Sequence, residues 1–239
     1  LADKHAGTAR PVSFEALQLG GADASNYAFT SPTLSVNIAP RPFTATITVA
    51  DKVYDGTTHA TASLTTTGLV AGDVVSLSGG GDVRFADKNV GTGKIVSATG
   101  LSLVGADAAD YLLTSSSASA TASITPATLT LSFTGGVQGT LSKIYGETLN
   151  FAGTEFSAQG LAQGETLGTV TLASAGAAAT ASVNGGPYPI TLSDARGGTF
   201  DARNYNLVYG SGTLVVTPRP VTLTGALVTR FADESNPAY

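Results

Sequence analysis

The sequence predicts a mainly β chain with little helix, divided into several small modules strung end to end rather than folded around one core. Three observations lead there: few bulky anchors, period-two apolar runs bounded by turn residues, and an internal repeat of domain size. Of 239 residues, 29 are Gly and none is Cys, Met or Trp, so 9 Phe and 8 Tyr are the only large rings. A single core spanning the chain would be poorly filled by them. At 42% hydrophobic and 12% charged, the composition is still that of a chain that folds.

Strands come first. Phe43, Ile47 and Val49, or Leu129, Leu131 and Phe133, occupy alternating positions between clusters of Gly, Asn and Asp, the pattern of strands with one buried face. No stretch carries helical periodicity over the length of an amphipathic helix. Gly68-Leu69-Val70-Ala71-Gly72-Asp73 reads either as one helical turn closed by a left-handed Gly or as a tight loop. Asp55-Gly56, between an apolar run and a Thr-rich alternation, reads as a hairpin or tight turn.

The repeat sets the domain division. Ala2-Asp3-Lys4 followed by Gly7-Thr8 recurs 84 residues later as Ala86-Asp87-Lys88 followed by Gly91-Thr92. Gly21-Ala22-Asp23-Ala24-Ser25-Asn26-Tyr27 recurs at the same offset as Gly105-Ala106-Asp107-Ala108-Ala109-Asp110-Tyr111, with a weaker copy at Phe200-Asp201-Ala202-Arg203-Asn204-Tyr205. Gly68 to Asp73 matches Gly160-Leu161-Ala162-Gln163-Gly164-Glu165, and the turn Lys52-Val53-Tyr54-Asp55-Gly56 matches Lys143-Ile144-Tyr145-Gly146-Glu147. Pro40, Pro126 and Pro218 close the copies at intervals of 86 and 92 residues, the size of small autonomous domains. The division is 1–40 as the end of one repeat, 41–126 and 127–218 as whole repeats, and 219–239 as the start of another.

At each proline the apolar parity flips. Val36 and Ile38 are even, Phe43 and Ile47 odd; Leu214 and Val216 are even, Val221 and Leu223 odd. Alternate side chains on a strand point opposite ways, so the chain is expected to leave one core there and enter another. Pro40-Arg41-Pro42 and Pro218-Arg219-Pro220 favour extended, semi-rigid links between modules.

Function classes narrow by elimination. With 17 acidic and 12 basic residues, the net charge of −5 disfavours nucleic acid and anionic membranes as partners, and no apolar run reaches the ~18 residues of a membrane span. Absence of Cys excludes disulfides and thiolate chemistry and suits export as an unfolded chain. The start at Leu1 without Met leads to the expectation of a piece of a longer protein. His5 and His59 do not repeat, no G-x-S-x-G elbow exists, and Gly91-Thr92-Gly93-Lys94 lacks the frame of a phosphate loop. No enzyme, cofactor or catalytic residue is expected.

The repeated acids Asp23, Asp107 and Asp201 are the weak candidates for Ca²⁺, but one Asp per copy is too few for its oxygen shell. Capping of the turns leading into Tyr27, Tyr111 and Tyr205 is the reading preferred for them. Those tyrosines, with Tyr54, Asp55, Gly56, Tyr145 and Gly146, form the structural motif: rings packed into small cores, hydroxyls bonded locally. Lys52 and Lys88 are expected to be turn-bonded or exposed, since an isopeptide link would need a repeated buried acid beside them.

Lys52 to Thr58, followed by Phe85-Ala86-Asp87-Lys88-Asn89-Val90-Gly91 and the Gly105 to Tyr111 block, resembles the YDG repeat of filamentous-haemagglutinin-type bacterial adhesins. Residues 127–218, with Lys143-Ile144-Tyr145-Gly146, Gly185-Gly186-Pro187-Tyr188 and Asn204-Tyr205, resemble the companion MBG repeat; residues 1–40 are similar to the closing half of a YDG copy. The tail from Phe231 to Tyr239 is similar to the opening of a further MBG copy. The resemblance implies small β-rich modules, β-grasp-like or sandwich-like, in an elongated array. It also implies a large secreted protein of a bacterial surface, exported by two-partner secretion, in which such repeats form a stalk or spacer in cell-surface or biofilm adhesion. The alternatives are that the modules themselves bind a polysaccharide or cell-surface ligand, or, least favoured, act on glycans. The second whole repeat departs from the first in having Tyr145-Gly146 for Tyr54-Asp55 and no Ala-Asp-Lys block.

Overall fold

In the first whole repeat, β-branched and aromatic residues at alternate positions build two small sheets. β3 (Arg41–Val49) lies between antiparallel β5 (Ala62–Thr67) and parallel β10 (Tyr111–Leu113). The second sheet runs β4 (Lys52–Val53), β11 (Ser117–Thr125), β8 (Gly91–Thr99), β7 (Arg84–Phe85). A ribbon of β6 (Ser76–Ser78) and β9 (Ser102–Val104) stands beside them. β3 packs on β11, and Phe43, Ile47, Val96, Ala98 and Ile124 fill the space between.

The second repeat uses the same strand order. β12 (Ala127–Phe133) lies between β14 (Phe156–Gln159) and β17 (Tyr205–Tyr209), while the four-stranded sheet runs β13 (Thr140–Ile144), β18 (Ser211–Thr217), β16 (Tyr188–Gly198), β15 (Leu167–Ala173). β13 pairs parallel with β18 as β4 does with β11. Its interior holds Leu129, Leu131, Val170, Ile190, Leu214 and Val216.

The computed structural model describes residues 1, 3–14, 17–30, 32–225 and 232. The chain divides into two compact units. Unit 1 takes the described residues up to Thr128 together with 162–165 and 201–206; unit 2 takes 129–161, 166–200 and the described residues from 207 onward. Two short segments that the repeat pattern assigns to residues 127–218 are thus built into unit 1.

Strands make up 47% and helix 7%, with no helix of seven residues or more, so the mainly β expectation is met, in its sandwich-like form. The parity flip is visible at Pro126: Ala122 and Ile124 are buried before it, Ala127, Leu129, Leu131 and Phe133 after it. At Pro218 the outcome differs. Val221 and Leu223 are 82% and 93% exposed instead of entering a core, and most of the module expected from 219 lies outside the described residues.

The half-repeat is informative. β1 (Gly7–Val12) pairs with β2 (Leu34–Ile38) in the register Gly7↔Ile38 and Arg10↔Val36. This reproduces Gly91↔Ile124 and Lys94↔Ala122 of β8 and β11. β1 and β2 thus form a two-stranded sheet in the register of β8 and β11, the inner strands of the four-stranded sheet of unit 1's whole repeat. No further strand flanks the pair among the described residues, and Leu34 and Val36 are 54% and 41% exposed.

Leu131 has no exposed surface and Val137 is 80% exposed. Leu131→Ala is expected to lower unfolding stability by about 2–5 kcal/mol through transfer and cavity costs. Val137→Ala should stay within about 0.5 kcal/mol. Thermal and urea unfolding of both variants checks the assignment of the core.

Candidate functional site

Three short sequence blocks supply the side chains of a cluster that unit 1 contains twice. The first is the G-L-x-x-G-acid block, which is a tight loop and not a helical turn. Asp73 N–H donates to the Val70 carbonyl at 3.2 Å and Glu165 N–H to the Ala162 carbonyl at 3.0 Å. Gly72 and Gly164 hold the third turn position at φ +93° and +82°, which only Gly adopts without strain. The second block is a short 3₁₀ turn, Ala108–Asp110 or Ala202–Asn204, that delivers Tyr111 or Tyr205.

The third is the Asp-Lys block. Asp3 Oδ1 accepts from His5 N–H at 3.0 Å and Asp87 Oδ1 from Asn89 N–H at 2.8 Å, a side-chain turn that presents Lys4 and Lys88. A cation seven residues on fixes each aspartate: Arg10 bonds Asp3, and Lys94 bonds Asp87 at 2.5 Å.

The fuller cluster is centred on Glu165, whose side chain is only 7% exposed. Its carboxylate accepts from the Tyr54 hydroxyl at 2.5 Å, the Tyr205 hydroxyl at 2.7 Å and the Lys88 ammonium at 3.1 Å. The Tyr205 hydroxyl in turn accepts from Ala162 N–H at 2.9 Å, locking the loop to the ring. The Tyr54 and Tyr205 rings meet edge to face, centroids 5.4 Å apart, and Lys88 Nζ lies 6.0 Å from the Tyr54 ring centre. Asn204, 2% exposed, accepts from Val90 N–H at 2.9 Å and donates to Asn89 at 3.2 Å.

The other copy repeats most of these contacts with equivalent residues. Asp73 accepts from the Tyr111 hydroxyl at 2.6 Å and pairs with Lys4. Val70 N–H donates to the Tyr111 hydroxyl at 3.0 Å. Asp110 accepts from Ala6 N–H at 2.6 Å and meets His5 Nδ1 at 2.7 Å, where Asn204 meets Val90 and Asn89. Tyr111 packs edge to face on Phe43, 5.7 Å away.

The electrostatics follow from the donors. Burial raises the Glu165 carboxyl, but the two phenols and Lys88 outweigh it and hold it below its ordinary value of 4.5. Burial, reinforced by the carboxylate each one faces, pushes the Tyr54 and Tyr205 phenols up, so they remain donors. The Lys4 ammonium and then the Tyr111 hydroxyl hold Asp73 low, and the hydrogen bond to Asp110 raises His5. The cluster is a set of satisfied donors and acceptors around a fixed anion, an arrangement that ties segments together.

Of the motif residues named from sequence, Tyr54, Tyr111 and Tyr205 are buried in the clusters, while Tyr27 is 71% exposed. Asp55 and Gly56 make a tight turn. Asp55 Oδ1 accepts from Thr57 N–H at 2.8 Å, Gly56 has φ +79°, and Lys52 bonds Asp55 at 2.7 Å and the Thr57 and His59 carbonyls at 2.9 Å each. Tyr145 and Gly146 occupy the same backbone place, with Tyr145 N–H on the Thr217 carbonyl as Tyr54 N–H is on Thr125, yet the Tyr145 ring is 45% exposed.

Asp201 caps its turn through Arg203 N–H; Asp107 instead accepts from Val74 N–H at 2.8 Å, and Asp23 makes no cap. The three do not converge. His5, Asp107 and Asp110 bring ligand atoms within 4.8 Å of one another, a set short of the six to eight oxygens of a Ca²⁺ site and with Asp110 already engaged. Sequence reasoning missed Lys4, Lys88, Asp73, Glu165, Asp110 and Asn204 as site residues, although every one lies in a block that repeats.

Glu165→Gln keeps the shape but removes the anion, and is expected to cost about 1–3 kcal/mol. Because the folded carboxyl titrates below its ordinary value, its contribution is complete above pH 4.5 and is lost as pH falls through the lowered value. The stability gap between parent and variant in denaturant titrations should therefore close on acidification. His5 runs the other way: its contribution holds below its ordinary 6.5 and is lost as pH rises through the raised value. Asp110→Asn should return the His5 NMR titration toward 6.5.

No curated protein and no solved structure matches the chain. Residues 39–121 match the model of the YDG domain, and residues 137–215 that of the MBG domain (YGX type). The chain thus carries a YDG domain followed by an MBG domain of the YGX type.

Proposed function

We propose that this chain is a non-enzymatic repeat segment of a large secreted bacterial adhesin, acting outside the cell as a stalk or spacer in surface or biofilm adhesion. YDG and MBG domains are found in repeat-containing surface proteins. The observation that carries the reading is the cluster built twice from the same sequence blocks: an acid turn and a tyrosine from one repeat receive the lysine block of the repeat before it. A device used at every step of a tandem array sets reach by repetition, with neighbouring repeats as its main partners.

Parallel pairing of an early strand with the last one, β4 with β11 and β13 with β18, supports a load-bearing role. Tension along such a pair shears several backbone hydrogen bonds together. The buried tyrosine hydroxyls are spent on internal partners, which argues against them as a binding face. A second reading, in which the modules bind an extracellular polysaccharide or a cell-surface ligand, is favoured by the exposed Tyr27 and Tyr145 rings.

Solution scattering tests the spacer reading. The chain should give a radius of gyration well above the roughly 18 Å of a globule of this length; a value near that figure would remove the stalk. Polysaccharide pull-down lost in Tyr27→Ala, with the fold intact, would favour recognition instead.

A further inference from the structure

The two clusters differ in the side chains that flank them. Where Asn204 donates to Asn89 at 3.2 Å in one copy, Asp110 and His5 stand in the other, with His5 Nδ1 2.7 Å from Asp110 Oδ2. Asp107 corresponds to Asp201. Arg203 neutralises Asp201 from within its own turn at 2.8 Å, but Ala109 holds the corresponding position beside Asp107. One copy therefore carries amides and an ion pair, and the other an imidazole and two carboxylates. One ligand atom from each of His5, Asp107 and Asp110 lies within 4.8 Å of the other two.

We infer that His5, Asp107 and Asp110 form a site for a divalent transition-metal ion of the Zn²⁺ type, which clips the segment around His5 to the turn that delivers Tyr111. The donor set decides the class of ion. Three protein ligands, one of them an imidazole nitrogen, with water in the fourth place, suit Zn²⁺ at bond lengths of about 2.0–2.2 Å. Ca²⁺ and Mg²⁺ take larger shells made of oxygen. Both carboxylates are already aimed. Ala6 N–H holds Asp110 Oδ1 at 2.6 Å and Val74 N–H holds Asp107 Oδ2 at 2.8 Å, which leaves the second oxygen of each for an ion.

Access and charge suit the same ion. The two carboxylate side chains are each 14% exposed and the imidazole 50%, so the oxygens are shielded while the nitrogen ring opens to solvent. Asp73, Asp107 and Asp110 outnumber Lys4 and Arg41, the two cations grouped with them, and Arg10 cancels Asp3. With His5 neutral the site keeps a net negative charge. The ion takes the place of the proton between His5 Nδ1 and Asp110 Oδ2: the proton goes to solvent and the nitrogen lone pair to the metal. Lys4 Nζ, 3.8 Å from Asp107 Oδ1, keeps its bond to Asp73. Such a clip would form whether or not the chain serves as a stalk.

Zn²⁺ titrated into the metal-free full chain is the test. The sequence has two histidines, so NMR can follow each ring separately. The His5 ring and the Asp107 and Asp110 carboxyl carbons should shift together and saturate at one ion per chain, while the His59 ring, which faces Asp82 across 3.8 Å, stays in place. Calorimetry should show Zn²⁺ affinity lowered at least roughly tenfold when His5→Asn and Asp110→Asn are combined. That pair reproduces the Asn89 and Asn204 of the other copy and should therefore fold; the NMR titration of the parent chain decides the matter even if it does not. Ca²⁺ in place of Zn²⁺ should leave both rings unshifted. Absence of saturable Zn²⁺ binding, equal shifts at His5 and His59, equal binding of Ca²⁺, or affinity retained in the folded double variant overturns the proposal.

Discussion

A carboxylate moved out of water must find donors, and this requirement organises unit 1. Glu165 is shielded from solvent and is held by two phenols and an ammonium that come from sequence positions 111, 40 and 77 residues away. Loss of one partner would leave a poorly solvated charge, so the cost falls on the whole set rather than on one bond. That is why two short segments, 162–165 and 201–206, are gathered with residues up to 128 despite following Pro126 in the chain. The anion acts as a tether whose strength depends on every member being in place.

The surrounding turns serve that tether by fixing its members before they meet. Gly72 and Gly164 let the acid turn close; the Val70 and Ala162 amides then hold a tyrosine hydroxyl that still has its own proton to donate. On the other side, Asp3 and Asp87 bend the chain so that the following lysine projects away from the aspartate. Arg10 and Lys94 neutralise those aspartates, leaving Lys4 and Lys88 to seek the second acid. Exposed pairs such as Arg196 with Asp194 have the same chemical types and add little, because water screens them. Burial and repetition distinguish the cluster from them.

The strands were legible because they depend on local pattern. Alternation at Phe43 and Ile47 or at Leu129, Leu131 and Phe133 specifies which face is inward, and the flip at Pro126 follows from pleat geometry alone. The cluster was not legible as a contact, because Lys4 and Asp73 lie 69 residues apart and nothing local says which acid a lysine will meet. What could be seen was its set of parts. The Asp-Lys block, the acid turn and the Asp-to-Tyr turn each recur, and parts that recur together are candidates for one joint. Asp107 shows the limit of the local reading: a side chain expected to cap its own turn bonds Val74 instead, since a loop brought close by the fold offers an unsatisfied amide.

Tyr54 and Tyr145 make the same point from the opposite direction. Both follow a lysine that gathers carbonyl oxygens, Lys52 from Thr57 and His59, Lys143 from Glu147 and Ala178. Both donate their own amide to the last strand of their repeat. One ring is 4% exposed and the other 45%. The turn therefore specifies where the ring is held and not what covers it. Covering depends on an acid turn and a second tyrosine, which arrive from another part of the sequence. A motif of this kind is half of an interaction, and its burial is a property of the array it sits in rather than of the residues that spell it.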